Sequence, residues 1–272
     1  MSKHVSVSYV EPLRTQRAAV LAFADIWREM GVTVSLGPDY DAGADLCMLH
    51  HNLTRLDPAT LPRPPDGVRV INGQALDISK RLYSRLRLEP DDDWRGSVIV
   101  KTNRNYFGLP EIHASGRIAE HRRKTLSIVE TWKEVGLLPL KQYPLLRTMA
   151  EVPDWVWRDP ELLVERFAPE REGDLFCLRG WIFLGSKGYA YRVYSKIPMV
   201  KTVNMERYEI LDGVPAELAE YRRRLKLDYG KFDYVQHGSR VYLIDANKTP
   251  SYSGDSRSER IRKVAEGILD FL

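Results

Sequence analysis

Cysteine is nearly missing from this sequence of 272 residues: only Cys47 and Cys177 occur, far apart in the chain. That excludes a disulfide framework and a thiolate zinc site, and makes a reducing cytoplasm the expected compartment. Long apolar runs are missing as well. The longest, Ala18 to Phe23 with its neighbours, falls far short of the roughly 20 residues a membrane-spanning helix needs. Met1-Ser2-Lys3-His4 leads straight into the alternation Val5-Ser6-Val7-Ser8-Tyr9-Val10, a strand pattern and not the apolar block of a signal peptide. Without that signal, the sequon Asn52-Leu53-Thr54 reads as accidental. No internal repeat or low-complexity tract is visible. With 43% hydrophobic and 29% charged residues, a globular protein is expected, neither secreted nor embedded in a membrane.

Net charge of one sign is scarce too. The chain carries 41 Lys+Arg against 37 Asp+Glu, a balance of +4. The surplus is local. Residues 101–150 hold nine basic residues (Lys101, Arg104, Arg117, Arg122, Arg123, Lys124, Lys133, Lys141 and Arg147) against four Glu. Such a segment serves phosphorylated small molecules, nucleic acid or anionic lipid, or is simply a solvated helix face. Trp155, Trp157, Phe167 and Trp181 stand among charges without alternating with a basic stripe, so they read as core or pocket. Neither nucleic acid nor a membrane is expected as partner.

The apolar periodicity gives a short α/β unit over 1–75. Strands at Val5–Val10, Val32–Leu36, Ala44–Leu49 and Val68–Ile71 accompany an amphipathic helix from about Thr15 to Met30, stopped by Gly31. Pro58, Pro62, Pro64 and Pro65 mark a loop. A helix is expected over Ile78–Arg87, a strand over Ser97–Lys101, and mostly helix over 115–150. Strands then dominate: Leu162–Phe167, Phe176–Leu184, Gly188–Val200, Phe232–Gln236 and Arg240–Ala246. A helix over Pro215–Leu225 and a final one from Ser256 to Leu272 complete the reading.

The pattern that carries chemistry lies near the C-terminus: Lys231-Phe232-Asp233-Tyr234-Val235, a hairpin at Gly238, then Asp245-Ala246-Asn247-Lys248-Thr249-Pro250. Alternate residues of a strand share a face. Lys231, Asp233 and Val235 therefore stand together, as do Leu243, Asp245 and Asn247, and a hairpin sets Asp233 against Asp245. Two carboxylates and an amide carbonyl are hard oxygen donors suited to Mg²⁺ that keeps positions for water and phosphate. Lys231 beside them adds positive charge against a transferring phosphoryl group. The alternative is an ordinary hairpin with one wet face.

Strand-borne Asp, hairpin, then Asp-x-Asn-x-x-Pro resembles the metal-binding end of the ATP-grasp superfamily, which includes D-alanine–D-alanine ligases, glutathione synthetase and RimK-type ligases. The likeness runs through about residues 75–272. Val98-Ile99-Val100-Lys101 is similar to the family's lysine strand, whose lysine meets nucleotide phosphates. Leu163-Val164-Glu165-Arg166-Phe167 is similar to its hinge strand at the adenine, and Asp174 falls where an acid commonly holds the ribose. Lys196 or Lys201 matches a second phosphate lysine, the choice staying open. Where the family has a glycine-rich loop, Asn103-Arg104-Asn105-Tyr106-Phe107-Gly108-Leu109-Pro110 has one glycine, so the side chains of Asn103, Arg104 and Asn105 stand in or the loop does less.

The resemblance implies an α+β ATP-grasp fold: two subdomains over 76–272 that clamp ATP, behind a short α/β pre-ATP-grasp domain over 1–75. A basic helical insertion spans about 112–150. It implies an ATP- and Mg²⁺-dependent carboxylate–amine or carboxylate–thiol ligase working through an acyl phosphate, on a small-molecule carboxylate and amine. Homodimers are common among relatives. Asp233, Asp245 and Asn247 are the expected metal ligands. Lys101, Asn103, Glu165, Arg166, Phe167, Asp174, Lys196 and Lys201 are the nucleotide contacts, and Lys231 and Arg179 the stabilisers of the transferring group. For Arg179, anion binding and a plain ion pair on the sheet are equal readings. One of His50 and His51, at a strand's carboxyl end, is a candidate substrate contact. As adjacent strand residues point to opposite faces, they do not form a zinc pair. Lys248 and the loop Ser251–Gly254 lie where the family binds its acceptor. A small-molecule kinase on the same fold, or a nucleotide-binding module without catalysis, are the alternatives.

Overall fold

The computed structural model describes residues 2–9, 18–125, 128–252 and 254–272. The first sheet is parallel throughout: β1 (His4–Tyr9), β2 (Thr33–Gly37), β3 (Leu46–His50) and β4 (Val70–Ile71), in the order β2-β1-β3-β4. Its central strand β3 is buried along its whole length, as expected of a parallel sheet covered on both faces. Helix α1 (Ala19–Glu29) makes the crossover and buries Val20, Phe23, Ile26 and Trp27. The part of the expected helix over residues 15–17 lies outside the described residues. Trp27 ties this unit to the chain's end, its Nε1 donating to the carbonyl of Ala265 at 2.8 Å.

A second sheet, antiparallel, follows: β5 (Arg87–Leu88), β6 (Val98–Thr102), β7 (Leu145–Leu146) and β8 (Leu162–Arg166), ordered β5-β8-β6-β7. Alternation sends Val98, Val100, Leu162 and Val164 into one core with Trp132, Leu146 and Val156, which leaves Ile99, Lys101 and Glu165 on the other face. The helix expected over 78–87 does not form. A single 3-10 turn, Lys80–Leu82, takes its place, because backbone N–H groups are satisfied from outside: Ser79 by Asp77, Lys80 by the carbonyl of Asn103, Arg81 by the Asn103 side chain. After α2 (Leu109–Ala114), the region expected as mostly helical over 115–150 has among its described residues only the short α3 (Ile118–Thr125) and α4 (Trp132–Val135) as α-helices, with α5 (Asp154–Arg158) after it. Gly136, at φ +71°, ends α4 in a conformation glycine tolerates.

The largest sheet holds β9 (Glu170–Glu172), β10 (Leu175–Leu184), β11 (Lys187–Ser195), β12 (Arg207–Leu211), β13 (Tyr229–His237) and β14 (Arg240–Asn247), ordered β12-β11-β10-β13-β14 with β9 on β10. β9 and β12 were not among the expected strands, and β11 stops well short of Val200. Helix α6 (Glu217–Arg224) buries Leu218 and Tyr221 against this sheet's core with Phe232, Tyr234 and Leu243. The last helix is shorter than expected: α7 (Glu259–Ala265) passes into a 3-10 segment, Glu266–Asp270. One irregularity sets the site. Counted from the His237–Arg240 pair, a regular ladder would put Asp233 opposite Ile244. A bulge between Asp233 and Tyr234 shifts the register, so Asp233 faces Asp245 and Lys231 faces Asn247.

Candidate nucleotide site

Between the face of β6 and β8 that carries Lys101 and the face of β13 and β14 that carries the two aspartates lies a cleft of about 270 Å³. Its lining combines apolar side chains, among them Leu86, Ile99, Leu178, Val235, Ile244 and Met199, with the charged Lys80, Lys101, Asp233 and Asp245. An apolar slot with a few convergent charges is the usual form of a small-molecule site.

Each of these four charges is held. Lys101 and Glu165 are 5% and 1% exposed and pair at 2.5 Å across the two strands. Glu165 is thus the partner of the lysine, while the chain after it, Arg166 to Pro169, runs along the cleft. Lys231 Nζ stands 2.8 Å from Asp233. Lys80 was not singled out in the sequence. Its Nζ lies 2.8 Å from Asp245 and donates to the carbonyl of Arg104 at 2.8 Å. Burial alone would strip its proton, but Asp245 outweighs that and raises its pKa. Burial likewise pushes the carboxyl of Asp233 up, with Lys231 opposing and Asp245 adding to the rise. Nothing in the periodicity marks Lys80, since it is positioned by contacts from Asn103 and Arg104, more than twenty residues away.

The other expected residues divide. Arg166 and Phe167 line the cleft. Asn103 is buried beneath it, its side chain spent on the backbone of Arg81. Asn247 is opposite Lys231, its Oδ1 accepting from the backbone of Thr249 at 2.8 Å. Asp174 is exposed between β9 and β10 and is not among the lining residues. Lys196 points outward, 3.7 Å from Glu206. Lys201 is exposed too, but donates to the carbonyl of Lys141 at 3.3 Å with its ammonium 5.9 Å from the Phe107 ring centre, so of the two lysines it stands nearer the cleft wall. Arg179 is corrected: its register partner is Tyr234, one residue off Asp233, which turns it to the opposite face of the sheet, where it grips Glu170 at 2.8–2.9 Å. The plain ion pair is the arrangement found.

His50 and His51 are buried at the end of β3. His50 stacks on Tyr9 at 5.0 Å, and His51 Nε2 is 2.9 Å from Ser8 Oγ. Burial pulls their pKa values down to about 3 and about 4. Lys248, 2% exposed, donates to the carbonyl of Ala75, and burial lowers its pKa to about 8. Ser253, within the expected acceptor loop, lies outside the described residues.

Among the described residues no group of three or more His, Cys, Asp or Glu side chains forms a metal site. The donor set nevertheless fits Mg²⁺: two carboxylates abreast in the register and an amide carbonyl two residues on supply hard oxygens, and this ion characteristically takes one or two carboxylates and completes its shell with phosphate and water. No helix among the described residues is long and apolar enough to cross a membrane.

Neither protein-family models nor curated sequences give a match. Solved structures do. The ATP-grasp ligase PsnB, complexed with a minimal precursor, aligns at TM-score 0.55 and 12% identity over 99% of this chain and 98% of its own. A RimK domain ATP-grasp protein from Sphaerobacter thermophilus aligns at 0.52 and 15% over 98% of each. A D-alanine–D-alanine ligase from Bacillus anthracis complexed with ATP aligns at 0.50 and 12% over 100% and 97%. The order of the sheets, the cleft between them and these alignments agree: the chain has the ATP-grasp fold.

Proposed function

We propose that this protein is an ATP-dependent ligase that joins a carboxylate to an amine or thiol through an acyl phosphate. The observation that carries this reading is the placement of Lys101 on one wall and of Asp233 and Asp245 on the other, in a cleft that apolar side chains also line. The apolar lining suits a nucleobase, and Lys101 and Lys80 suit phosphate oxygens. The fold shared with the ligase PsnB, and with a D-alanine–D-alanine ligase that was solved with ATP, supports it.

The chemistry follows from what each partner lacks. A carboxylate does not react with an amine at neutral pH. Its oxygen first attacks the γ-phosphorus of ATP, ADP leaves, and the acyl phosphate then has a good leaving group. The amine attacks the acyl carbon, inorganic phosphate departs, and the amine's proton is released. The protein positions the partners and offsets the charge that spreads over the phosphoryl oxygens. Asp233, Asp245 and Asn247 would hold Mg²⁺, which supplies further neutralisation of phosphate charge when bound. Lys231, held beside Asp233 though not itself among the lining residues, adds positive charge behind it.

The test is ADP release across a panel of small acids and amines, alone and in pairs, with hydroxylamine present to trap an acyl phosphate as the hydroxamate. Hydroxamate that depends on ATP and on one acid is the expected result. A stable phosphoester product would sink the ligase in favour of a kinase. ATP binding without ADP release from any pair would leave a nucleotide-binding module.

A further inference from the structure

A second cavity, of about 280 Å³, lies beside the cleft, walled by Ile112, Leu137, Leu138, Leu140, Trp155 and Leu162. Its volume approaches the roughly 300–1,000 Å³ typical of ligand pockets. Phe107 and Tyr143 face both cavities, their ring centres 4.3 Å apart. One aromatic pair therefore separates the two spaces.

Three observations fix which part of the nucleotide cleft this cavity adjoins. The Tyr143 hydroxyl, 3.2 Å from Thr102 Oγ1, stands in the electrostatic field of Lys80 and Asp245. Arg104 lines the second cavity, and its carbonyl is the one that holds Lys80. The chain between them is strained: Tyr106 and Phe107 have φ of 44° and 61°, left-handed values, with Gly108 after them at 72°. Non-glycine residues held there cluster at ligand sites. The lining charges leave room for an acid: Glu161 is matched by Arg104 Nε at 2.6 Å and Arg55 Nη1 at 2.7 Å, Asp159 accepts from the backbone of Glu161 at 2.8 Å, and Lys141 adds a further cation.

We propose that this cavity seats the carboxylate substrate's body: a small acid with an apolar side chain, lodged among Ile112, Leu137 and Leu138, its carboxylate turned past Tyr143 toward Lys80 and Asp245. The assignment rests on the ligase reading and adds the class of acid. It gives a role to Phe107 in the loop that the family resemblance would make glycine-rich: its ring is a wall shared by the apolar pocket and the nucleotide cleft.

Calorimetric titration with 3-phenylpropionate and with acetate tests it, on the full chain and on Leu138→Trp and Ile112→Trp, which fill the cavity from different walls. ATP with Mg²⁺ is titrated separately into each. The wild type should bind 3-phenylpropionate at least tenfold more tightly than acetate. Each tryptophan variant that keeps the wild-type circular dichroism should lose at least tenfold in that affinity while binding ATP within twofold of wild type. Equal affinity for the two acids, a comparison that needs no variant, overturns the pocket, and so do filled variants that bind 3-phenylpropionate normally. Wild-type chain that binds 3-phenylpropionate but not ATP overturns the ligase reading instead, and the substrate role with it.

Discussion

The two faces of the large sheet carry similar charges and put them to different ends. On the face opposite the cleft, register stacks Arg179, Arg192 and Glu209 in one row. Arg179 grips Glu170. Arg192 reaches Glu172 at 2.6 Å and Glu209 at 2.7 Å, Arg207 closes on Glu172 at 2.5 Å, and the hydroxyl of Tyr194 donates to Glu209. Acids and bases alternate and most carboxylates have more than one partner, so the network is closed upon itself. On the cleft face two like charges, Asp233 and Asp245, stand abreast, each held by one ammonium, against open space. Both patterns begin in sequence as basic and acidic residues on strands. What separates a site from a brace is whether the charges are already matched and whether a cavity adjoins them.

The largest effects should come from one carboxylate on each face. Asp245→Asn removes a partner from the buried Lys80, which costs about 3–5 kcal/mol, and Glu170→Gln uncharges a buried carboxylate shared by the half-buried Arg179 and Arg192, so both variants should melt lower. Only Asp245→Asn should lose turnover beyond its loss of folded protein, by on the order of 100-fold or more in ADP release, as for removal of a group that stabilises transition-state charge. Melting curves beside ADP release normalised to folded chain decide it. If Glu170→Gln loses as much normalised activity, the two faces are not distinct in kind.

Next comes the pair on the facing wall. Lys101→Met should raise the Kd for ATP at least tenfold and also destabilise, because Glu165 is left buried without its cation. Adding Glu165→Gln should return most of the stability and none of the ATP affinity. A double variant that regains both would show that Lys101 serves packing alone.

The hairpin was legible because period-two alternation places Lys231, Asp233, Asp245 and Asn247 without reference to the rest of the chain. The bulge at Ile244 was not, though it alone brings the two aspartates level. Lys101 could be read from its strand, whereas Lys80 sits on a turn fixed by Asn103 and Asp77 in place of the expected helix. Arg179 shows the converse. Its strand was read correctly, but its face depends on the register with β13, which only the pairing reveals. Side chains that answer local spacing were legible, and those that answer contacts distant in sequence were not.

A smaller effect separates the parallel sheet from the cleft. The pKa values of His50 and His51, about 3 and about 4 in the folded chain, return to about 6.5 on unfolding. Between these values the unfolded state binds more protons, so stability falls as pH drops from about 6.5 toward 4. His51→Gln should flatten part of that slope in urea titrations at pH 6.5, 5.5 and 4.5, on the order of 2–3 kcal/mol over the window. ATP affinity of the folded variant at pH 7.5 should be unchanged. A slope that stays the same would mean that His51 is not kept neutral by burial.

The smallest effect decides between two lysines that sequence left equal. Lys196 is mostly exposed and 3.7 Å from Glu206, and exposed pairs of that kind contribute little. Lys196→Ala should leave ATP affinity within twofold and the melting temperature unchanged. Lys201 reaches across to the carbonyl of Lys141 and the face of Phe107, beside the aromatic wall that both cavities share, so Lys201→Ala should weaken ATP two- to fivefold. Because Pro198, Met199 and Val200 between them already line the cleft, their loop can present only one of the flanking lysines to the phosphates without turning over. If Lys196→Ala costs more than Lys201→Ala, the loop closes on nucleotide with its other edge inward, and the contact between Lys201 and Phe107 belongs to the nucleotide-free chain alone.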